Sequence, residues 1–194
     1  MIQIISGQYR GRKLLVPEGK QLRPTANRVR ESIFNVLQHL LYFEDRVVLD
    51  LYAGSGALGL EAISRGCGSA YFVESNLATV QLIKQNLQRC GAHSDSVHVI
   101  HRPAETWLSQ FENLGHPCLV FVDPPYYQDE YAKILPLISK LDSIPETSVI
   151  VVESPKKLDI SAVPLLEILK EKQYGETKVI FLEKKSSTLS SNGL

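Results

Sequence analysis

Between residues 47 and 152 the chain alternates short apolar runs with amphipathic stretches, and this rhythm constrains its fold more than any other feature. Segments 47–51, 70–73, 97–100, 119–122 and 148–152 read as strands, while 58–64, 77–87, 104–111 and 130–141 carry helical spacing. Strands separated by helices of this length pair in parallel and are covered on both faces, which predicts an α/β fold with a mainly parallel sheet. On such sheets ligands bind at the carboxyl ends of the strands, near the point where strand order reverses. Asp50, Glu74 and Asp123 all fall at predicted strand ends, hence on one edge.

The flanking segments read differently. Residues 2–5 and 13–16 are β-like runs around Ser6-Gly-Gln-Tyr-Arg-Gly-Arg12, a hairpin with a glycine-rich basic tip. From Thr25 onward, Val29, Ile33, Val36, Leu37, Leu40 and Leu41 recur at helical spacing, with Arg28, Arg30 and Glu31 off that face. At the other end, 165–171 and 178–182 flank Tyr174-Gly175 and predict a terminal hairpin, and 184–194 is polar, serine-rich and expected to be disordered. The expected organisation is one domain over 1–183, comprising a hairpin extension (1–22), a helical lead-in (23–45) and a core (46–183).

With 44% hydrophobic residues in 194, the chain can bury one substantial core, and no apolar run approaches a membrane span. Met1-Ile-Gln-Ile-Ile5 leads straight into polar residues, so no secretory leader is expected. Cys67, Cys90 and Cys118 are isolated and form no CxxC pair, which argues against a disulfide framework or zinc site and fits a reducing cytoplasm. The formal net charge of zero conceals an asymmetry. Residues 1–30 hold seven basic side chains (Arg10, Arg12, Lys13, Lys20, Arg23, Arg28, Arg30) against Glu18, a net +6 that suits a phosphate-bearing partner.

Gly54-Ser-Gly56-Ala-Leu-Gly59 is a literal GxGxxG between a strand and a helix, with Glu74 twenty residues beyond Gly54. Taken alone this is a dinucleotide fingerprint. Here, however, Asp50 stands four residues before the first glycine, and a carboxylate faces an ammonium group better than a pyrophosphate. S-adenosylmethionine carries such an ammonium on its amino-acid end, its ribose hydroxyls suit Glu74, and glycines allow close backbone approach to a ligand. Pro103-Ala104-Glu105, after the third core strand, reads either as a border for the adenine ring or as a plain helix start.

Asp123-Pro124-Pro125-Tyr126 closes the apolar strand 118–122. An exocyclic amine on a base or amide is a poor nucleophile because its lone pair is delocalised. The Asp123 carboxylate and the Pro124 carbonyl can accept its two N–H groups, align the lone pair with an electrophilic methyl, and stabilise charge that builds on nitrogen. Consecutive prolines stiffen the turn and donate no N–H. The Tyr126 ring offers a stacking platform worth about 1–3 kcal/mol per base. Amino methyl transfer is the reading these residues favour.

With Asp50-Leu-Tyr-Ala-Gly-Ser-Gly-Ala-Leu-Gly-Leu-Glu61 and Phe121-Val-Asp-Pro-Pro-Tyr126, the chain resembles class I S-adenosylmethionine-dependent methyltransferases acting on exocyclic amines. Ile4-Ile-Ser-Gly-Gln-Tyr-Arg-Gly-Arg-Lys-Leu14 and Leu22-Arg-Pro-Thr-Ala-Asn-Arg-Val-Arg-Glu31 narrow the resemblance to the bacterial RsmD family, which methylates guanine N2 in 16S rRNA. The resemblance implies a Rossmann-like, mainly parallel seven-stranded sheet with helices on both faces and a basic N-terminal β-hairpin. It implies catalytic roles for Asp123, Pro124, Pro125 and Tyr126, with the flipped base stacked on Tyr126. Asp50, Tyr52, Ala53, Gly54, Ser55, Gly56, Gly59, Glu74, Ser75 and Ala104 would hold S-adenosylmethionine and its product S-adenosylhomocysteine. Arg10, Arg12, Lys13, Arg23 and Arg28 would contact phosphates of 16S rRNA in the 30S subunit or an assembly intermediate. A cytoplasmic monomer with no metal and no membrane partner is expected.

Three other readings stand beside this one. An adenine N6 or protein-glutamine methyltransferase would use a similar turn, the latter typically with Asn in place of Asp123. A NAD-dependent oxidoreductase would use the glycine loop but neither Asp50 nor the Pro-Pro turn. A ribosome-assembly binder without catalysis would keep only the basic surface.

Overall fold

In the computed structural model, residues 2–17, 24–92, 94–113, 115–125, 128–160 and 163–186 are described. The chain opens with two short strands, β1 (Ile2–Gln3) and β2 (Lys13–Leu14), paired antiparallel with Ile2 opposite Leu14. Helix α1 (Pro24–Leu37) follows. The core then alternates β3 (Val47–Asp50), α2 (Ala57–Ser64), β4 (Ser69–Glu74), α3 (Leu77–Cys90), β5 (Val97–His101), α4 (Ala104–Leu108), β6 (Cys118–Val122), α5 (Gln128–Lys140) and β7 (Val149–Pro155). It closes with β8 (Leu166–Tyr174) and β9 (Thr177–Lys184). The larger sheet has seven strands in the order β5-β4-β3-β6-β7-β9-β8. Strands β3 to β7 run parallel, and β9 lies antiparallel between β7 and β8.

Alternation along the strands divides the core in two. Val48, Phe72, Phe121, Val151 and Phe181 pack with α1, α2 and α3 on one face. Leu49, Val73, Val120, Ile150 and Ile180 pack with α4 and α5 on the other. α3 starts at Asn76, whose side chain accepts the Thr79 amide at 3.1 Å, and stops at Gly91, whose φ of 71° ends the helical path. α1 ends at Leu37, four residues before the apolar periodicity does, because the chain turns through 38–40 to bring Leu41 and Phe43 back into the core. The last strand reaches Lys184, and Ser186 is still described, so ordered structure overlaps the segment expected to be disordered, whose residues 187–194 lie outside the described ones. Among the described residues no helix is long and apolar enough to cross a membrane.

Candidate active site

Strand order reverses at β3: β4 and β5 extend the sheet to one side, β6 and β7 to the other. Asp50 pairs with Phe121, and the Leu51 amide donates to the Phe121 carbonyl at 3.2 Å. Asp123, two residues past Phe121, thus stands one strand from the turn that follows Asp50, a lateral step of about 5 Å. Glu74 ends β4, and Glu153, inside β7, is level with Asp123; they lie two residues beyond Phe72 and Val151 of the α1–α3 core. Asp50 is 3% exposed. Burial pushes its carboxyl up to about 7, against the pull of the Gly59 amide and with a further push from Asp123 and Glu74. Burial first and Asp123 second raise Glu153 to about 8. An edge this rich in carboxyl groups favours a cationic ligand. Asp123 and Pro125 are exposed and Pro124 is buried, while Tyr126 lies outside the described residues.

The loop from Tyr52 to Gly56 is fixed from several sides. The Gly54 amide donates to Glu74 Oε2 at 3.2 Å, the Asn76 amide to Glu74 Oε1 at 2.9 Å, and the Gly59 amide to Asp50 Oδ2 at 3.0 Å. The Ser55 carbonyl accepts from Asn86 Nδ2 at 2.8 Å. The three glycines do different work. At Gly54, with φ 54°, an added Cβ would meet only the Tyr52 carbonyl at 3.9 Å, so the space beside it is open. A Cβ at Gly56 would lie 3.3 Å from the Phe72 ring, and one at Gly59 2.4 Å from it. Close approach, read from the sequence as approach to a ligand, is therefore at Gly59 the packing of α2 on β4. The Tyr52 hydroxyl donates to Glu130 Oε2 at 3.4 Å, and Ala53 is buried with its amide on the Val73 carbonyl at 3.1 Å. Ser75 is exposed at the tip of β4, and Ala104 is buried at the start of α4 after Pro103.

Arg10 and Arg12 are exposed between β1 and β2, Lys13 is exposed at the start of β2, and Arg28 is exposed on α1; Arg23 lies outside the described residues. Arg30 departs from the surface reading. It is 6% exposed and donates to the Gln3 carbonyl at 2.7 Å, tying α1 to β1. The hairpin is docked by side chains the sequence reading passed over. Buried Glu61 accepts the Ile5 and Ser6 amides at 2.7 and 3.0 Å and pairs with Arg65 at 2.9 Å. Asn86 bonds both backbone groups of Leu15. Arg89 Nε donates to the Lys13 carbonyl at 3.3 Å and adds a cation beside the basic tip. The available signal was a charged or amide residue among apolar neighbours within a helical pattern: Glu61 after Leu60, and Asn86 before Leu87.

The family model described as conserved hypothetical protein 95 matches residues 2–183. The chain belongs to the RsmD family. Two curated relatives of this RsmD-family chain are both called ribosomal RNA small subunit methyltransferase D. The one from Escherichia coli K12 is 39% identical over 163 residues, covering 84% of this chain and 79% of that protein. The one from Haemophilus influenzae is 34% identical over 174 residues, covering 90% and 89%. The solved structure of yhhF from Escherichia coli matches with a TM-score of 0.81 and 35% identity over 95% of this chain and 98% of that one. The RsmD-family fold here is that of the class I S-adenosylmethionine-dependent methyltransferases.

Proposed function

We propose that the chain transfers a methyl group from S-adenosylmethionine to the exocyclic N2 amine of one guanine in 16S rRNA, in the small ribosomal subunit or a particle assembling into it. At the coarser level, membership of the RsmD family makes it an S-adenosylmethionine-dependent methyltransferase of ribosomal RNA. The observation that supports methyl transfer to an amine is the direct pairing of β3 with β6 at the reversal of strand order, while guanine N2 in 16S rRNA rests on the family resemblance. The pairing sets the Asp50–Gly54 turn beside Asp123 and the Pro-Pro turn.

The residues present fit the cofactor. Gly54 leaves open space where a side chain would stand, and the carboxyl-rich edge suits an ammonium and a sulfonium. Asp50 would face the ammonium and Glu74 the ribose, with Tyr52, Ala53, Ser55, Ser75 and Ala104 bordering the site and Gly56 and Gly59 keeping the loop's shape. When bound, S-adenosylmethionine supplies a methyl group activated by its positive sulfur. Asp123 and the Pro124 carbonyl would each accept one N–H of the target amine and hold its lone pair in line. Both acceptors stabilise the nitrogen more as it gains positive charge than in the ground state, which raises the rate. Tyr126 would stack on the extruded base. Arg10, Arg12, Lys13, Arg23 and Arg28 would bind phosphates, and the chain works as a cytoplasmic monomer.

The decisive experiment incubates the protein with labelled S-adenosylmethionine and unmodified small subunits, then digests the RNA and identifies the labelled nucleoside. N2-methylguanosine is expected. N6-methyladenosine, or label in protein, would replace this reading.

A further inference from the structure

We infer that Asn86 is a positioning residue that couples RNA engagement by the hairpin to cofactor binding at the glycine turn, an inference that rests on the proposed function. Asn86 is 0% exposed and sits on α3 among the buried apolar residues Ile83, Leu87 and Cys90. An amide in such surroundings is tolerated only when its polar atoms are satisfied. Here the Leu15 amide donates to Asn86 Oδ1 at 2.7 Å, and Asn86 Nδ2 donates to the Leu15 carbonyl at 3.0 Å and to the Ser55 carbonyl at 2.8 Å. The bonds to Leu15 copy the pairing of one strand residue with another.

The two partners belong to the two ligand-bearing segments. Leu15 follows Lys13 by two residues and Arg12 by three, and Ser55 lies between Gly54 and Gly56. One rigid side chain therefore spans segments 40 residues apart in sequence, from Leu15 to Ser55. A ligand that draws either segment into its bound position shifts the amide group that both segments share and, through Asn86, sets the other. The second ligand then meets a segment already set for it and binds more tightly, and by linkage the effect is reciprocal.

The test measures the dissociation constant of labelled S-adenosylhomocysteine with and without unmodified small subunits. In the wild-type chain the subunits should tighten S-adenosylhomocysteine by at least about fivefold, the lower end of ordinary coupling. In Asn86→Ala the factor should fall below about twofold, while S-adenosylhomocysteine still binds alone. No coupling in the wild type, or undiminished coupling in the variant, overturns the inference. Should the variant fail to fold, hydrogen exchange on the wild-type chain decides: S-adenosylhomocysteine alone should slow exchange of the Leu15 amide severalfold, and an unchanged rate overturns the inference. A wild-type chain that binds no S-adenosylhomocysteine refutes the proposed function and the coupling with it. Binding that leaves the hairpin indifferent refutes the coupling alone.

Discussion

Gly59 and Phe72 are packed so closely that a single methyl group on the glycine would stand 2.4 Å from the ring. Gly54, five residues earlier, opens instead onto free space. Gly59→Ala should therefore destabilise the fold by about 1–3 kcal/mol through overpacking. Gly54→Ala should cost about 1–2 kcal/mol for its left-handed backbone. It should also weaken S-adenosylhomocysteine binding at least about tenfold, or 1.4 kcal/mol. Thermal melting and calorimetry on the two variants separate the effects, and equal loss of cofactor binding in both would reject the division.

Asp123 follows β6 on an exposed turn, one strand away from the glycine loop. Asp123→Ala should lower the single-turnover methylation rate at least about a hundredfold, the scale on which loss of one preorganised polar contact is felt. Its affinity for S-adenosylhomocysteine should stay close to wild type.

The exposed cations and the buried one make opposite predictions. Replacing Arg10, Arg12 and Lys13 together by Ala should weaken binding to small subunits and reduce the slope of log affinity against log salt by about 2–3. Arg30→Gln should leave the slope unchanged, because Arg30 spends its guanidinium on Gln3, and should lower the melting temperature instead. Titrations at several salt concentrations check both.

Folding holds the proton on Asp50 and Glu153 more firmly than an unfolded chain would, raising them from 3.8 to about 7 and from 4.5 to about 8. Their contribution to stability is complete below the ordinary carboxyl range and is lost as pH rises through these values. The melting temperature should fall between about pH 5 and 8.5, and Glu153→Gln should flatten the upper part of that decline. A flat wild-type profile over this window would contradict the crowding of carboxyl groups at the sheet edge.

Much of the fold was legible because apolar runs and helical spacing are local signals. β3 to β7 and the helices between them fall within about three residues of where the pattern places them. Strands β7 and β9 run past their apolar runs, since Glu153, Ser154 and Pro155 are paired by Val179, Lys178 and Thr177 rather than selected for burial. β8 is exposed or half-buried throughout and takes its length from the same kind of pairing. In the candidate site, Asp50, Glu74 and Asp123 could be placed from sequence because topology alone sends strand ends to one edge, whereas Glu153, inside the longer β7, could not. The separate duties of Gly54 and Gly59 could not, because a glycine spaces identically whether a ligand or a Phe ring lies against it. Nor could the docking of Ile5 on Glu61 or Leu15 on Asn86, bonds that span 56 and 71 residues.

The placement of β9 between β7 and β8 means that β7 gains its second neighbour only once residues 177–184 have left the ribosome. A message broken before codon 177 would release a chain whose β7, with Val149, Ile150, Val151 and Val152 in a row, becomes a bare sheet margin. Unpaired margins of that composition recruit strands from other molecules. Truncated copies are therefore a self-association hazard, and quality control has a reason to destroy them.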